Sequence, residues 1–367
     1  MNYREMSTPA LAIDLDILQR NLERMADYCE EHRLGLRPHT KTHKTPQVAR
    51  LQLEHGAVGL TVAKVGEAEV MVPATAREQA EVLVAYPIYG GENLRRLAEL
   101  ARTRTILLSL DSEATAHELS RAASEAGVSF GVLVEFNSGM QRCGLEPGPA
   151  CVALAQKVAA LPGLKFRGLM TYYGNIWGSE AERHEEAKRV AERVARALRA
   201  FSEARVPVEI VSGGSTPSAF MSHEIPGITE IRPGTYVYND LNTYYQGACK
   251  LEDCAARVVT TVVSTAVPGR AMIDAGSKTL SSDALSSGPK TGHGYVVEAP
   301  DAKLIKLNEE HGHLDITGSS HRFQVGEVLT VIPNHVCTCV NMHDEVFLLR
   351  NGEVAGCWRV AARGKVR

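Results

Sequence analysis

The feature that most constrains this chain is an alternation. From about residue 10 to residue 240, short apolar runs take turns with longer amphipathic stretches, and eight such runs can be counted. They are LGLRPHTK (34–41), GLTVAKV (59–65), VLVAYPI (82–88), TILLSL (105–110), FGVLVEF (130–136), FRGLMTYY (166–173), VEIVSGG (208–214) and EIRPGTYVY (230–238). Between them stand helical patterns such as ENLRRLAELARTR (92–104), SEATAHELSRAASEAG (112–127) and SEAERHEEAKRVAERVARALRAFSEA (179–204). Strand candidates alternating with helices point to a parallel sheet, and a count of eight favours closure into a (β/α)8 TIM-type barrel. The alternative is an open doubly wound sheet, which usually carries a phosphate-binding glycine fingerprint after its first strand. None follows residues 34–41.

After residue 245 the long helical periodicity stops and β-rich runs follow one another: 256–267, 270–276, 294–300, 303–307, 327–333 and 345–360. Asn351-Gly352 inside the last run is a hairpin turn signal. The reading is a barrel over 10–245 and a C-terminal all-β domain over 246–367 joined by residues 1–9, with the strand-like PALAIDLD (9–16) pairing into the β domain. At 367 residues the chain is long enough for two cores. A net charge of −3 gives no reason to expect nucleic acid or an anionic membrane as partner. No apolar run approaches the roughly 20 residues of a membrane span, and the N-terminus lacks the apolar stretch of a signal peptide. The expected location is the cytoplasm, with the eight scattered cysteines as free thiols.

Read as a strand, LGLRPHTKTH puts Arg37, His39 and Lys41 on one face, with His43 added if the strand continues. Basic groups gathered at the C-terminal end of a barrel strand suit a bound anion, because barrel active sites sit at that end. A solvated basic turn is the bland alternative. Two later segments add phosphate-binding chemistry. VSGGSTPSAF (211–220) supplies glycine backbone and hydroxyls ahead of a short helix, and EIRPGTYVYND (230–240) supplies Arg232, Gly234 and Thr235. They fall at the seventh and eighth strands, where barrels commonly bind phosphate.

The blocks RPHTKTHK (37–44), GMQRCG (139–144), GLMTYYGN (168–175), GGSTP (213–217) and RPGTY (232–236) resemble, in that order, the alanine-racemase-like, fold-type III pyridoxal 5′-phosphate (PLP) enzymes. Within them the chain looks most like the D-threonine aldolase and D-serine dehydratase branch. The resemblance implies that Lys41 binds PLP covalently, with His39 among the cofactor-binding residues. Tyr172 would lie against the pyridine ring and Arg142 near the phenolic oxygen. Gly214, Ser215, Thr216, Gly234 and Thr235 would hold the phosphate, and Arg232 occupies the place of a racemase-type partner for the ring nitrogen. Nearby cations such as Arg37, His39 and Arg142 would help Lys41 lose its proton.

VIPNHVCTCVNMHDE (331–345), read as a strand, puts His335, Cys337 and Cys339 on one face. Imidazole plus thiolate is a zinc-type donor set, and an incomplete set leaves positions open for substrate. A buried histidine near free cysteines is the alternative. The resemblance implies a divalent metal (Zn, Mn or Mg) on His335 and Cys337, with Cys339 as a neighbour. In that branch aldolases tend to carry aspartate at the second position and dehydratases cysteine.

A metal beside PLP suits a β-hydroxy amino acid. The expected activity is retro-aldol cleavage of D-β-hydroxy amino acids to glycine and an aldehyde, with His335 and Lys41 as catalytic residues. The alternative is deamination of the D-serine or D-3-hydroxyaspartate type, using zinc. More remote readings are an amino-acid racemase and a PLP-binding protein without turnover. The partners expected are an amino-acid substrate and a second copy of the chain in a homodimer.

Overall fold

The computed structural model describes residues 1–289 and 292–367. Two compact units emerge. One comprises Arg24–Lys41, Pro46–Gly234 and Gly364–Arg367, the other Met1–Glu23, Thr42–Thr45 and Thr235–Arg363. The β unit therefore takes more of the N-terminus than residues 1–9, starts again before residue 246, and gives up its last four residues to the barrel.

In the barrel unit, eight parallel strands are arranged as the alternation implies: Gly35–Leu36, Gly59–Val62, Glu81–Val84, Ile106–Leu110, Phe130–Glu135, Leu164–Met170, Ile210–Gly213 and Glu230–Ile231. Each pairs in parallel with its neighbour, and the eighth returns to the first through Gly35↔Glu230. The ring closes between first and second strands. There Val58 N–H donates to Leu36 O (2.8 Å), Thr61 N–H to Pro38 O (2.9 Å) and Thr40 N–H to Thr61 O (2.8 Å). Several strands are buried along their whole length, as a sheet covered on both faces requires. The helices cover it with one apolar stripe each. In Glu180–Glu203 that stripe is Ala187, Val190, Val194, Ala197 and Phe201, spaced by threes and fours. That helix starts on a capping box in which Glu182 accepts the Ser179 N–H (2.8 Å).

Charges run through the barrel. Arg37 Nε donates to both oxygens of Glu230 (2.9 and 3.0 Å), and Ser212 Oγ donates to the same carboxylate (2.6 Å). Arg232 Nη1 donates to Ser212 Oγ (2.6 Å) and Nη2 to Thr171 O (2.7 Å). Arg37 also reaches Glu81 (3.3 Å).

The β unit is a mixed sheet. Ala10–Asp14 lies antiparallel to Ala256–Ser264 and parallel to Glu345–Arg350, so the early segment does join this domain. Met6, Ala10, Ala12, Val259 and Leu349 pack together where these strands meet. Asn351 and Gly352 take φ of 51° and 75°, the left-handed pair that a two-residue turn between Glu345–Arg350 and Glu353–Arg359 needs. Strand Gly312–Asp315 breaks no periodicity in the sequence and was not among the expected runs. No helix among the described residues is long and apolar enough to cross a membrane.

Replacing Arg37 by Met leaves the Glu230 carboxylate buried without its main counter-charge. Unfolding by urea should show a loss of about 3–5 kcal/mol. A loss below 1 kcal/mol would mean that the pair contributes no more than a surface contact.

Candidate active site

In the barrel unit, Lys41 follows the bridge that joins His39 to Thr61 and sits in a turn, exposed, between buried Thr40 and Thr42. His39 N–H is fixed by Pro233 O (2.9 Å), and its Nδ1 accepts the Lys41 backbone N–H (3.4 Å). The regular strand ends at Leu36, so the single basic face expected over 34–43 does not form. Arg37 is the clearest departure. It turns into the barrel interior and is held by Glu230 and Glu81, which removes it from the cations available to Lys41.

The loop after the fifth strand is built to present Arg142. Asn137 Oδ1 accepts the N–H groups of Gly139 (2.9 Å) and Gln141 (3.1 Å), and Asp111 Oδ2 accepts that of Gly144 (2.9 Å). Gly144 has φ of 98°, and a Cβ there would lie 2.6 Å from the Phe136 carbonyl carbon, so no other residue fits. The result places the Arg142 guanidinium over the Tyr172 ring, 4.7 Å from its centroid. Below it, burial pushes the Glu135 carboxyl up, against the pull of Arg232 and Arg142.

After the seventh strand, Gly214 takes φ of 85° and lets the chain pass Ile231. Ser215 N–H donates to Ser218 Oγ (3.1 Å), and Gly234 N–H donates to Thr216 Oγ1 (3.2 Å), which ties this turn to the end of the eighth strand. Ser215 and Thr216 are buried, and the short helix Ala219–Glu224 follows. Arg232 is buried too, which lowers its pKa, and its two terminal nitrogens are committed to Ser212 and Thr171. A turn of backbone N–H groups and hydroxyls, an exposed lysine and a cation over an aromatic ring fit the phosphate, aldehyde and ring of PLP.

In the β unit, the strand Val328–Pro333 ends early. Residues Val336–Val340 form a short helix with His335 as its N-cap, so the expected strand face of His335, Cys337 and Cys339 is replaced by a helical turn. Buried Asp240 dictates the change. Its Oδ2 accepts the Val336 N–H (2.9 Å) and lies 3.1 Å from His335 Nδ1, while Oδ1 accepts the Thr243 N–H (2.9 Å) that caps helix Leu241–Tyr245. A carboxylate on one imidazole nitrogen orients the other, the arrangement typical of a metal-binding histidine. Burial pulls His335 down, but the Cys337 sulfur and Asp240 outweigh it and push it up to about 11. Cys337 Sγ lies 3.2 Å from Thr42 Oγ1 and 3.8 Å from Thr235 Oγ1. Cys339 turns away, its thiol donating to Thr279 O (3.2 Å), and burial raises it to about 12. Among the described residues no three His, Cys, Asp or Glu side chains gather to hold a metal ion. His335 and Cys337 alone suit an ion whose remaining positions are filled by water or substrate.

Sequence reasoning missed Asp240 and Thr42. The signal for Asp240 was present as an Asp-x-x-Thr capping pattern over 240–243. Two buried or half-buried acids outside the site are structural: Asp274 accepts from Thr8 and Thr260 (both 2.6 Å), and Glu67 accepts the Ala63 N–H (2.7 Å).

A family model described as alanine racemase, N-terminal domain, matches residues 13–242, and one described as putative serine dehydratase domain matches 255–349. The chain belongs to the alanine-racemase-like, fold-type III PLP family. It is 31% identical to the D-threonine aldolase of an Arthrobacter species over 98% of this chain and 93% of that one. It is 32% identical to the 3-hydroxy-D-aspartate aldolase of Paracoccus denitrificans over 100% and 94%. The crystal structure of the D-threonine aldolase from Filomicrobium marinum matches with a TM-score of 0.91 at 33% identity, covering 100% of this chain and 98% of that one. The D-threo-3-hydroxyaspartate dehydratase of a Delftia species gives 0.89 at 30% identity, with 98% of each covered. That dehydratase has also been solved with a histidine replaced by alanine, and with a cysteine two positions further on replaced, the latter in a metal-free form.

Asp240→Ala removes the cap of two helices at once. Denaturant unfolding should show a loss of about 2 kcal/mol or more, since each lost cap costs about 1 kcal/mol; a change within 0.5 kcal/mol, roughly the size of an ordinary surface substitution, would contradict the double-cap reading.

Proposed function

We propose that this chain is a PLP- and divalent-metal-dependent lyase that cleaves D-β-hydroxy amino acids between Cα and Cβ, releasing glycine and an aldehyde. Lys41 carries PLP. Gly214, Ser215, Thr216, Gly234 and Thr235 receive its phosphate, while Tyr172, Arg142 and His39 frame its ring. His335 and Cys337 hold the metal. Bound PLP supplies an electron sink for the electrons left at Cα, and a bound divalent ion supplies a Lewis acid for the substrate hydroxyl. Arg142, kept over Tyr172 by the braced 137–144 loop, sets the position of the ring. Asp240 holds His335 in one orientation, so the donor pair needs little reorganisation.

The observation that carries this reading is the Asp240-oriented His335 beside Cys337. A racemase of this fold needs no Lewis acid. A protein that only binds PLP would need no second unit equipped with a donor pair. The 31–32% identity to aldolases across nearly the whole chain supports cleavage, and the 32% identity to the dehydratase over 90% of the chain supports the same substrate class. Imidazole with thiolate favours zinc over magnesium, which prefers oxygen ligands.

One observation favours a second reading. The His-x-Cys spacing of 335–337 equals that of the histidine and cysteine altered in the dehydratase structures. In that reading Lys41 takes the α-proton, the hydroxyl departs, and the products are a keto acid and ammonia.

Incubating the metal- and PLP-loaded protein with D-threonine should yield acetaldehyde and glycine. 2-Oxobutyrate and ammonia in their place would establish the second reading, and neither pair would overturn both.

Lys41→Ala should abolish the yellow absorbance of bound PLP and its fixation by borohydride. Retention of either would remove Lys41 from the site. Chelation, His335→Ala and Cys337→Ala should each lower bound metal and kcat together, while borohydride still fixes PLP on the protein. Undiminished turnover in metal-free protein would eliminate the metal's role.

A further inference from the structure

At the N-terminal ends of the barrel strands, opposite the end that carries Lys41, Arg142 and Gly214, lies a polar cavity of about 430 Å³. Arg104, Lys165, Arg167, Glu81, Thr105 and Ser129 are among the residues that line it. Three cations face one carboxylate there, and the ion pairs are unevenly shared. Arg167 is engaged by Glu209 (2.6 Å) and by Glu81 (3.1 Å), and Glu81 is also taken by Arg37 (3.3 Å).

Arg104 is different. It is only 7% exposed, and its Nε and Nη1 are buried with no hydrogen-bond partner. Among the described residues neither Arg104 nor Lys165 has an acidic side chain within ion-pairing distance. Donor groups withdrawn from water and left without acceptors are costly, and Arg104 carries two of them beside the cavity it lines. With Nε and Nη1 closed off, Nη2 is the nitrogen left to meet a ligand there, in a single charge-assisted contact. The hydroxyls of Thr105 and Ser129 add neutral donors at the same rim.

We infer that this cavity binds a small oxyanion, of the phosphate or dicarboxylate class, held by Arg104 and Lys165. It lies at the end of the barrel away from chemistry, where a ligand acts on stability rather than on the reaction. The inference stands apart from the proposed lyase activity, because none of its residues belongs to the cofactor or metal positions.

The test uses PLP-loaded protein, so that the cofactor occupies its own phosphate position. Titration with inorganic phosphate, against sodium chloride at equal ionic strength, should raise the unfolding temperature by about 2 °C in a saturable way. Lys165→Gln, an exposed change that spares the fold, should weaken the effect about tenfold, and Arg104→Gln should remove it. Succinate in a parallel titration separates the two anion classes: whichever raises the unfolding temperature at lower concentration identifies the ligand type. An absence of any saturable rise with both anions leaves the cavity to water and overturns the inference. An equal rise in wild type and both variants overturns it too, because the anion would then be bound elsewhere.

Discussion

The parallel pairing between first and second strands decides what the C-terminal end of the barrel can present. Without the bonds from Val58, Thr61 and Thr40, the eight-stranded sheet would have two open edges of unpaired backbone. With them the ring closes, and the chain leaving the closure has no further strand to follow. Lys41 is turned outward at that point, flanked by buried Thr40 and Thr42, so its amine projects from a base that cannot slide. The interior polar chain reinforces the register. Arg37, Glu230, Ser212 and Arg232 link the first, seventh and eighth strands through short, charge-assisted bonds. Apolar filling would give comparable stability, but a charge that must meet its partner penalises a one-residue slip in a way that leucines do not.

The β unit has its own organising centre in one carboxylate. Asp240 has no exposed surface, and its two oxygens serve the starts of two helices and the imidazole of His335. Capping stabilises the helix termini, and the same carboxylate holds the His335 imidazole in one orientation. Thr338, between the two cysteines, is held in turn by Asp283 (2.8 Å) and Ser281 (3.1 Å), so the short helix is braced at its start and at its middle. A strand would have carried Cys337 and Cys339 to the same side. The helical turn separates them and leaves one sulfur beside hydroxyls and the other buried against a carbonyl.

This contrast explains what the amino-acid order disclosed. Periodicity reports which face of an element is buried, so the eight strands, their helices, the Asn-Gly hairpin and the early strand of the β unit were legible within a few residues. Motif order disclosed the family. What periodicity cannot report is the partner of a buried polar group. Asp240 and His335 stand 95 positions apart, and Arg37 and Glu230 stand 193 apart. Alternating apolar and polar letters around His335 looked like a strand because the capping carboxylate that turns the chain into a helix is nowhere near it in sequence. Arg37 looked like part of a basic cluster for the same reason: its neighbours in order are His39 and Lys41, but its neighbours in space are acids from the third and eighth strands. Charged side chains inside a barrel are therefore read wrongly by proximity along the chain, and rightly only once strand order fixes which acid stands level with which base.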